Sequence, residues 1–344
     1  MKLKRHKQNP IIKPIKTNNW ESKAVFNLGA VYEEKTGLIH VIYRAIGEYE
    51  KYLSVLGHAT SKDGINFERN DNPIFKPMEE YEKWSCEDPR ITKIGNTFYM
   101  TYVALSKPPH EGGGPPKTAL ASTTDFVNFK RHGIITPEGA DDRDTVLFPE
   151  KIDGKYVMLH RPHNWSKKYV QNKDGELYIQ VNGTVDPVKR VIKWPIEEKP
   201  TFPEKPSIWI AYSEDLKDWY GHKVMMEPEM KWEQEKLGAG PPPIRTEKGW
   251  LLIYHSVSYD EGIKKYHAGA ALLDLNDPSK VIGRTKNPIL DPERDYEVSG
   301  DVSNVVFPEG IVVRGDELLV YYGAADKTCC LATCNLNELV NSIQ

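Results

Sequence analysis

The sequence is short of cysteine, of net charge and of long apolar runs, and each shortage removes a class of protein. Four cysteines in 344 residues exclude a disulfide framework, and three of them (Cys329, Cys330 and Cys334) crowd one short segment. Lys+Arg number 46 against 49 Asp+Glu, a formal net charge of −3, which leaves no positive field for nucleic acid or a polybasic membrane contact. No apolar run approaches the roughly 18–20 residues of a membrane span. The basic start, MKLKRHKQNPIIKPIK, lacks the apolar stretch of a signal peptide. Metal motifs are missing too: there is no CxxC pair and no HExxH, and the clustered cysteines have no matched histidine spacing, so no metal is expected. Neither a Walker loop nor a dinucleotide glycine fingerprint appears. The expectation is a soluble, cytoplasmic globular protein with no nucleic-acid or membrane partner.

What the sequence does have is turns and aromatics. LIHVIYRAI (38–46), TFYMTYVAL (97–105), KYVMLHRP (155–162), GWLLIYHSV (249–257) and LLVYYGAA (318–325) are short, β-branched or aromatic, and bounded by Gly, Asn, Asp or Pro. The pattern has period two, and the one helical signal is NLNELVNSIQ at the C-terminus. A degenerate module of strand, Asp turn, aromatic strand and Pro exit recurs at 58–77, 119–137, 210–228 and 270–292, with a truncated copy at 329–339. Repeated strand pairs along an all-β chain predict a five-bladed β-propeller in which each module is the outer half of a blade. No linker is evident, so residues 1–344 read as one domain. Two long loops, 107–117 and 164–206, are placed to wall a pocket.

Four groups of residues could carry chemistry. In WSCEDPR (84–90), Asp88 precedes Pro89, which predicts an extended backbone, and Arg90 lies close enough in sequence to orient the Asp88 carboxylate. Arg143 and Arg161 flank a hairpin that could turn both guanidinium groups to one face. Lys236 and His255, followed by Tyr266 and His267, accompany the glycine- and proline-rich GAGPPPI (238–244), read as a rigid loop that allows close backbone approach. Taken singly, each basic residue reads as a solvated charge and His255 as a satisfied strand histidine. Together, two Arg, one Lys and one His at strand ends resemble an oxyanion site. Trp20, Asn27, Tyr43, Arg44, Trp84, His163, Trp165, Tyr322 and Asp326 supply the aromatic and planar polar groups of a carbohydrate pocket, with most of the aromatics expected in the core.

Blocks such as FNLGA (26–30), YRA (43–45), CEDPR (86–90), LFPEKIDGKYVMLHRP (147–162), GAGPPPI (238–244), GAALLDLNDPSKV (269–281), NVVFPEG (304–310) and YYGAAD (321–326) resemble glycoside hydrolase family 130, in order, from about residue 9 to 335. That family consists mostly of inverting β-mannoside phosphorylases, with some β-1,2-mannosidases, on a five-bladed propeller. The resemblance implies that Asp88 is the general acid and that Arg143, Arg161, Lys236 and His255, with Tyr266 close by, grip inorganic phosphate. It also implies that Asn27, Arg44 and Asp326 contact the mannosyl residue. Phosphate is then a co-substrate and no cofactor is expected. Oligomeric state stays open, a homo-oligomer being common among such propellers.

The chemistry explains why one acid suffices. An inverting hydrolase needs an acid and a base about 6.5–9.5 Å apart so that water fits between them. Phosphate is already an anion, so phosphorolysis needs cations to hold it and one acid for the departing oxygen. A hydrolase, with Glu150 of FPEK as its nearby second carboxylate, is the alternative, and a non-catalytic glycan-binding propeller is the third reading.

Overall fold

Every one of the strong strand segments above is apolar nearly throughout, so each must be covered on both faces. The computed structural model describes residues 1–108, 111, 114–137, 140–163, 165–171, 173, 177–181, 190–192 and 202–343. Among these, the strands form five radial sheets. They are β2 (Ala24–Glu33), β3 (Leu38–Ile46), β4 (Ser54–Ser61) and β5 (Glu68–Arg69) in blade 1. Blade 2 has β6 (Ser85–Ile94), β7 (Thr97–Leu105), β8 (Lys117–Thr123) and β9 (Lys130–Ile134). Blade 3 has β10 (Asp142–Leu147), β11 (Tyr156–Pro162), β15 (Ile208–Ser213) and β16 (Trp219–Met226). Blade 4 has β17 (Lys236–Ala239), β18 (Ile244–Thr246), β19 (Gly249–Asp260), β20 (Ile263–Leu273) and β21 (Val281–Arg284). Blade 5 has β22 (Val306–Arg314), β23 (Glu317–Ala324) and β24 (Thr328–Asn335), completed by the N-terminal β1 (Lys4–Arg5), with α2 (Leu336–Ser342) after α1 (Asp295–Val298). The five-bladed propeller read from the repeats is therefore the architecture found.

The core is divided into layers between blades. Leu251, Ile253 and Ala270 of blade 4 pack with Val306, Leu318 and Val320 of blade 5, and similar layers join blade 5 to 1, 1 to 2, 2 to 3 and 3 to 4. This sandwiching explains why the inner strands run apolar without alternation, as in β19, whose first ten residues are all buried. Exposed and half-buried residues alternate instead over the first four residues of the outer strand β9.

The repeated Asp turns are visible in detail. Asp63, Asp125, Asp215 and Asp274 each accept two backbone N–H bonds from residues two and three positions on. The truncated fifth module also has its explanation: β1 pairs with β24 and supplies the outer strand that the C-terminus lacks. The stretch 164–206, read as a loop, instead contains β12 (Trp165–Gln171), β13 (Leu177–Val181) and β14 (Arg190–Ile192), a separate antiparallel sheet. The rest of that stretch, apart from 173 and 202–206, lies outside the described residues, as do 109, 110, 112 and 113 of the 107–117 loop. No helix among the described residues is long and apolar enough to cross a membrane.

A second repeat, unseen in the sequence, locks the blades. A fully buried glutamate before an inner strand accepts from a second-strand tyrosine and pairs with an outer-strand arginine. The sets are Glu21–Tyr43–Arg69, Glu82–Tyr102–Arg131, Glu233–Tyr254–Arg284 and Glu297–Tyr322–Arg5. Blade 3 replaces the tyrosine by His160, bonded to Asp142 at 2.7 Å and to His222 at 3.0 Å. Arg5 donates to Glu297 at 2.7 Å, so β1 closes the ring through a buried charge as well as a ladder. Removing one partner of such a pair costs about 3–5 kcal/mol, whereas an exposed pair is worth about 0–1 kcal/mol. Arg5→Ala is therefore expected to lower the denaturant midpoint strongly and Lys2→Ala, whose Asp291 bridge is exposed, hardly at all. Equal losses in urea titrations of the two variants would refute the closure role.

Candidate active site

Regular pairing would point inner-strand side chains between blades, yet four of the five inner strands slip register at equivalent places. The slips fall between Phe26 and Leu28, Glu87 and Arg90, Arg143 and Val146, and Pro308 and Gly310. At three of them a polar residue takes a positive φ: Asn27 at 47°, Asp88 at 51° and Asp144 at 54°. Bulges re-aim side chains, and strained non-glycine backbone gathers at functional sites. In blade 4 the inner strand is instead broken by Gly240–Pro243, between β17 and β18. The bulged ends converge near the axis.

Asp88 differs from its sequence reading in two ways. It lies within β6 as a bulge, in the left-handed region and not extended. Its orientation comes from blade 1 and not from Arg90: Asn27 Nδ2 donates to Oδ1 at 2.9 Å and Arg44 Nη1 at 3.2 Å. Arg44 also holds Glu87 at 2.8 Å and donates through Nε to Ser54 Oγ at 2.9 Å. Asp326, at φ 49° just after β23, joins this group. Burial pushes its carboxyl up to about 7 against the pull of Arg44. The Tyr52 hydroxyl, beside Arg44, bonds to Asp301 and bridges a blade 1 loop to the segment before β22. Asn27, Arg44, Asp88 and Asp326 are thus brought together.

Arg143 and Arg161 sit directly opposite each other in the β10–β11 ladder, Arg143 inside β10 and not ahead of it. Two like charges in such a pair repel, and each has its own carboxylate. Arg143 makes a two-pronged contact with Asp141 at 2.8 and 2.9 Å, and Arg161 donates through Nε to Asp144. His255 Nε2 lies 3.3 Å from the same Asp144 oxygen. Lys236 donates to the Tyr266 hydroxyl at 3.3 Å, and the Phe307 ring lies 4.2 Å from that of His255. His163 follows Arg161 and donates its backbone N–H to Asp141 at 2.8 Å.

The charges differ from a simple count of basic residues. Burial lowers Lys236 to about 7, helped by Arg161, so the amine is about half protonated at neutral pH. Burial also lowers His255 to about 4 despite Asp144, so the imidazole is neutral there. The two arginines are the permanent cations of the cluster.

Arg90, read from the sequence as the orienter of Asp88, instead binds the site together with two residues the sequence reading missed, Asp144 and Glu309. Arg90, 2% exposed, reaches Asp144 at 3.2 Å, Glu309 at 3.0 Å and the Gly240 carbonyl at 3.0 Å. Burial drives Glu309 well above the ordinary carboxylate range, with Arg90 opposing it. Gly238 of GAGPPPI does allow close approach, but of the protein itself: a Cβ there would stand 2.2 Å from Asp144 Oδ2 and 2.3 Å from His255 Cε1. The only forewarning was the place of Asp144 beside Arg143 and of Glu309 in the NVVFPEG block. Glu150 is elsewhere, past the far end of β10, exposed and paired with Arg245 at 3.1 Å. Of the aromatics, Tyr43 and Tyr322 are core locks and Trp20 stacks on Tyr43 at 6.2 Å. Trp84 is half-buried, and the side chain of Trp165 lies outside the described residues. Among the described residues no group of three or more His, Cys, Asp or Glu is placed to hold a metal ion.

The Asp326 shift has a thermodynamic consequence. An unfolded Asp titrates near 3.9, so a native value raised to about 7 means stability falls as pH rises from about 4 to about 7 and levels off above. Asp326→Asn removes that penalty. Its gain in melting temperature over the parent is expected to be larger at pH 8 than at pH 5, and a pH-independent difference in calorimetry would contradict the buried charge.

A family model described as beta-1,4-mannooligosaccharide phosphorylase, of glycoside hydrolase family 130, matches residues 2–193 and 197–344. A 1,2-beta-oligomannan phosphorylase of Thermoanaerobacter sp. (strain X514) is 40% identical over 345 residues, covering 98% of this chain and 99% of that protein. A beta-1,2-mannobiose phosphorylase of the same strain is 40% identical over 341 residues, 94% of each. Among solved structures, a beta-1,2-mannobiose phosphorylase from Listeria innocua, in complex with beta-1,2-mannobiose, superposes with a TM-score of 0.76 at 29% identity, covering 100% of this chain and 99% of that one.

Proposed function

Because the chain belongs to glycoside hydrolase family 130, an enzyme family, we propose that it cleaves a terminal β-mannosyl linkage with inorganic phosphate, giving α-mannose 1-phosphate and a shortened acceptor. The names of the two relatives at 40% identity favour a β-1,2 linkage. The observation that carries the reading is the convergence of Arg143, Arg161, Lys236 and His255, with Tyr266, beside the group that holds Asp88. Phosphate is the co-substrate, no cofactor takes part, and residues 1–344 work as one catalytic unit.

The mannosyl residue is held by Asn27, Arg44 and Asp326. Asp326, titrating near neutrality, can accept from or donate to a sugar hydroxyl. Asp88 takes the contacts from Asn27 and Arg44 on Oδ1, which leaves Oδ2 to carry the acid proton. As the C1–oxygen bond to the acceptor breaks, phosphate oxygen bonds to C1 from the opposite face, and a mannosyl hydroxyl hands a proton to the departing oxygen while taking one from Asp88. Hydrogen phosphate gives up its proton as the ester forms, and that proton, relayed through solvent, restores Asp88, so protons balance and the step reverses for synthesis. Arginine suits this anion because its planar fork matches two phosphate oxygens. A charged sugar phosphate is retained inside a cell, which fits a cytoplasmic location.

Hydrolysis needs a carboxylate free to activate water. Asp141 is engaged by Arg143, Asp144 by Arg161 and Arg90, and Glu87 by Arg44. Glu150 is at the other end of its blade. These pairings favour phosphorolysis over the hydrolase, and a glycan-binding propeller has no use for the anion cluster.

With β-1,2-mannobiose, turnover is expected to require phosphate and to yield mannose 1-phosphate; equal rates without phosphate, releasing free mannose, would establish a hydrolase. Asp88→Asn should reduce kcat by about 100-fold or more, with an unchanged melting temperature showing that the fold is intact. Lys236 loses its proton around 7, so phosphate KM should rise from pH 6 to pH 8.5. Lys236→Arg keeps its charge and should flatten that rise; an identical slope in the variant would remove Lys236 from the anion site.

A further inference from the structure

The phosphate-gripping groups come from two blades, Arg143 and Arg161 from blade 3 and Lys236, His255 and Tyr266 from blade 4, and neither ladder fixes one set against the other. We propose that Asp144, a residue with no direct role toward the substrates, is the positioning residue that assembles the anion site; this rests on the phosphorolytic reading above.

One Asp144 oxygen accepts from Arg161 Nε and lies 3.3 Å from His255 Nε2, while the other lies 3.2 Å from Arg90 Nη2. Blades 2, 3 and 4 therefore meet on one carboxylate that is 3% exposed. Burial opposes its ionisation, but the charges of Arg161 and Arg90 outweigh burial and keep it charged. With Nε anchored on Asp144, the Arg161 guanidinium is turned so that Nη1 is buried without a hydrogen-bond partner. A buried, unpartnered guanidinium nitrogen is costly unless something anionic meets it. The backbone is arranged for the same contact. Asp144 adopts φ 54° in a bulge, and position 238 carries no side chain where a Cβ would collide with both Asp144 and His255. A carboxylate repels phosphate, so Asp144 acts through Arg161 and His255 and not by contact.

Two effects oppose each other when the charge is removed. Asp144→Asn takes away a negative charge near the anion, which tightens phosphate, and loses the anchor of Arg161, which loosens it. If positioning dominates, the anchor loss wins. An asparagine has one acceptor oxygen, so its amide N–H must face the donors of either Arg161 or Arg90, and the carboxylate's charge no longer holds either. Gly238→Ala tests the same contact while leaving the charge in place.

The experiment measures phosphate Kd by calorimetry on the full-length enzyme and KM for phosphate and mannobiose separately. Both variants are expected to raise phosphate Kd and KM at least tenfold, with mannobiose KM within twofold of the parent. Glu150→Gln is the control expected to change neither. Should Asp144→Asn fail to fold, Gly238→Ala alone decides. Tighter phosphate binding in Asp144→Asn would reduce Asp144 to a neutralising charge and overturn the inference. So would unchanged phosphate constants, or phosphate and mannobiose KM rising together. A parent enzyme that binds phosphate yet turns over without it refutes phosphorolysis and leaves the positioning measurement standing. A parent that binds no phosphate refutes both.

Discussion

The arrangement of the axis depends on one buried guanidinium. Arg90 carries a full charge where water cannot reach, and such a charge is tolerated only when paired and hydrogen-bonded. Its partners are Asp144 of blade 3, Glu309 of blade 5 and the Ala239 and Gly240 carbonyls of blade 4. Blade 2 is thereby tied to its neighbour and to two blades further round the ring. The apolar layers between blades are non-directional, and they hold the sheets together without fixing how far their ends project. The Arg90 network supplies that missing directionality, at the level where the bulges turn Asn27, Asp88 and Asp144 toward the axis.

Scaffold and site use the same chemistry for different ends. Around the ring, Glu–Tyr–Arg sets are closed: each buried carboxylate has both its hydroxyl donor and its cation. At the axis the sets are incomplete. Arg161 keeps an unpartnered nitrogen, Lys236 is only half protonated at neutral pH and Asp326 holds its proton to about 7. Groups held away from their preferred ionisation mark places where binding energy can be recovered when a substrate arrives. Blade 3, whose lock is built from His160, Asp142 and His222, is also the blade that provides both arginines.

The modular plan was legible because it is local. Asp turns, aromatic outer strands and proline exits each act within a few residues, so the five outer half-blades could be counted and the strand cores located. Cations at strand ends were legible for the same reason: Arg143, Arg161 and Lys236 stand at or next to the ends of short strands, which antiparallel pairing brings together, whereas His255 lies in the middle of β19. The partner of Asp88 was misread because Arg90 is near it in sequence, while a bulge sends the two side chains to different blades. His255 was counted as a cation, since sequence carries no information on burial. The missing strand of the fifth module lay more than 300 residues away, in β1.

Strands, the repeat and the residue types available at the axis follow from backbone propensity and turn chemistry over short distances, and so could be read from the chain. Which carboxylate holds which cation, the gathering of three blades on Asp144 and the charge state of each group emerge on folding. Those outcomes depend on desolvation and on contacts between segments far apart in the chain. Both are properties of the closed ring and of no single segment.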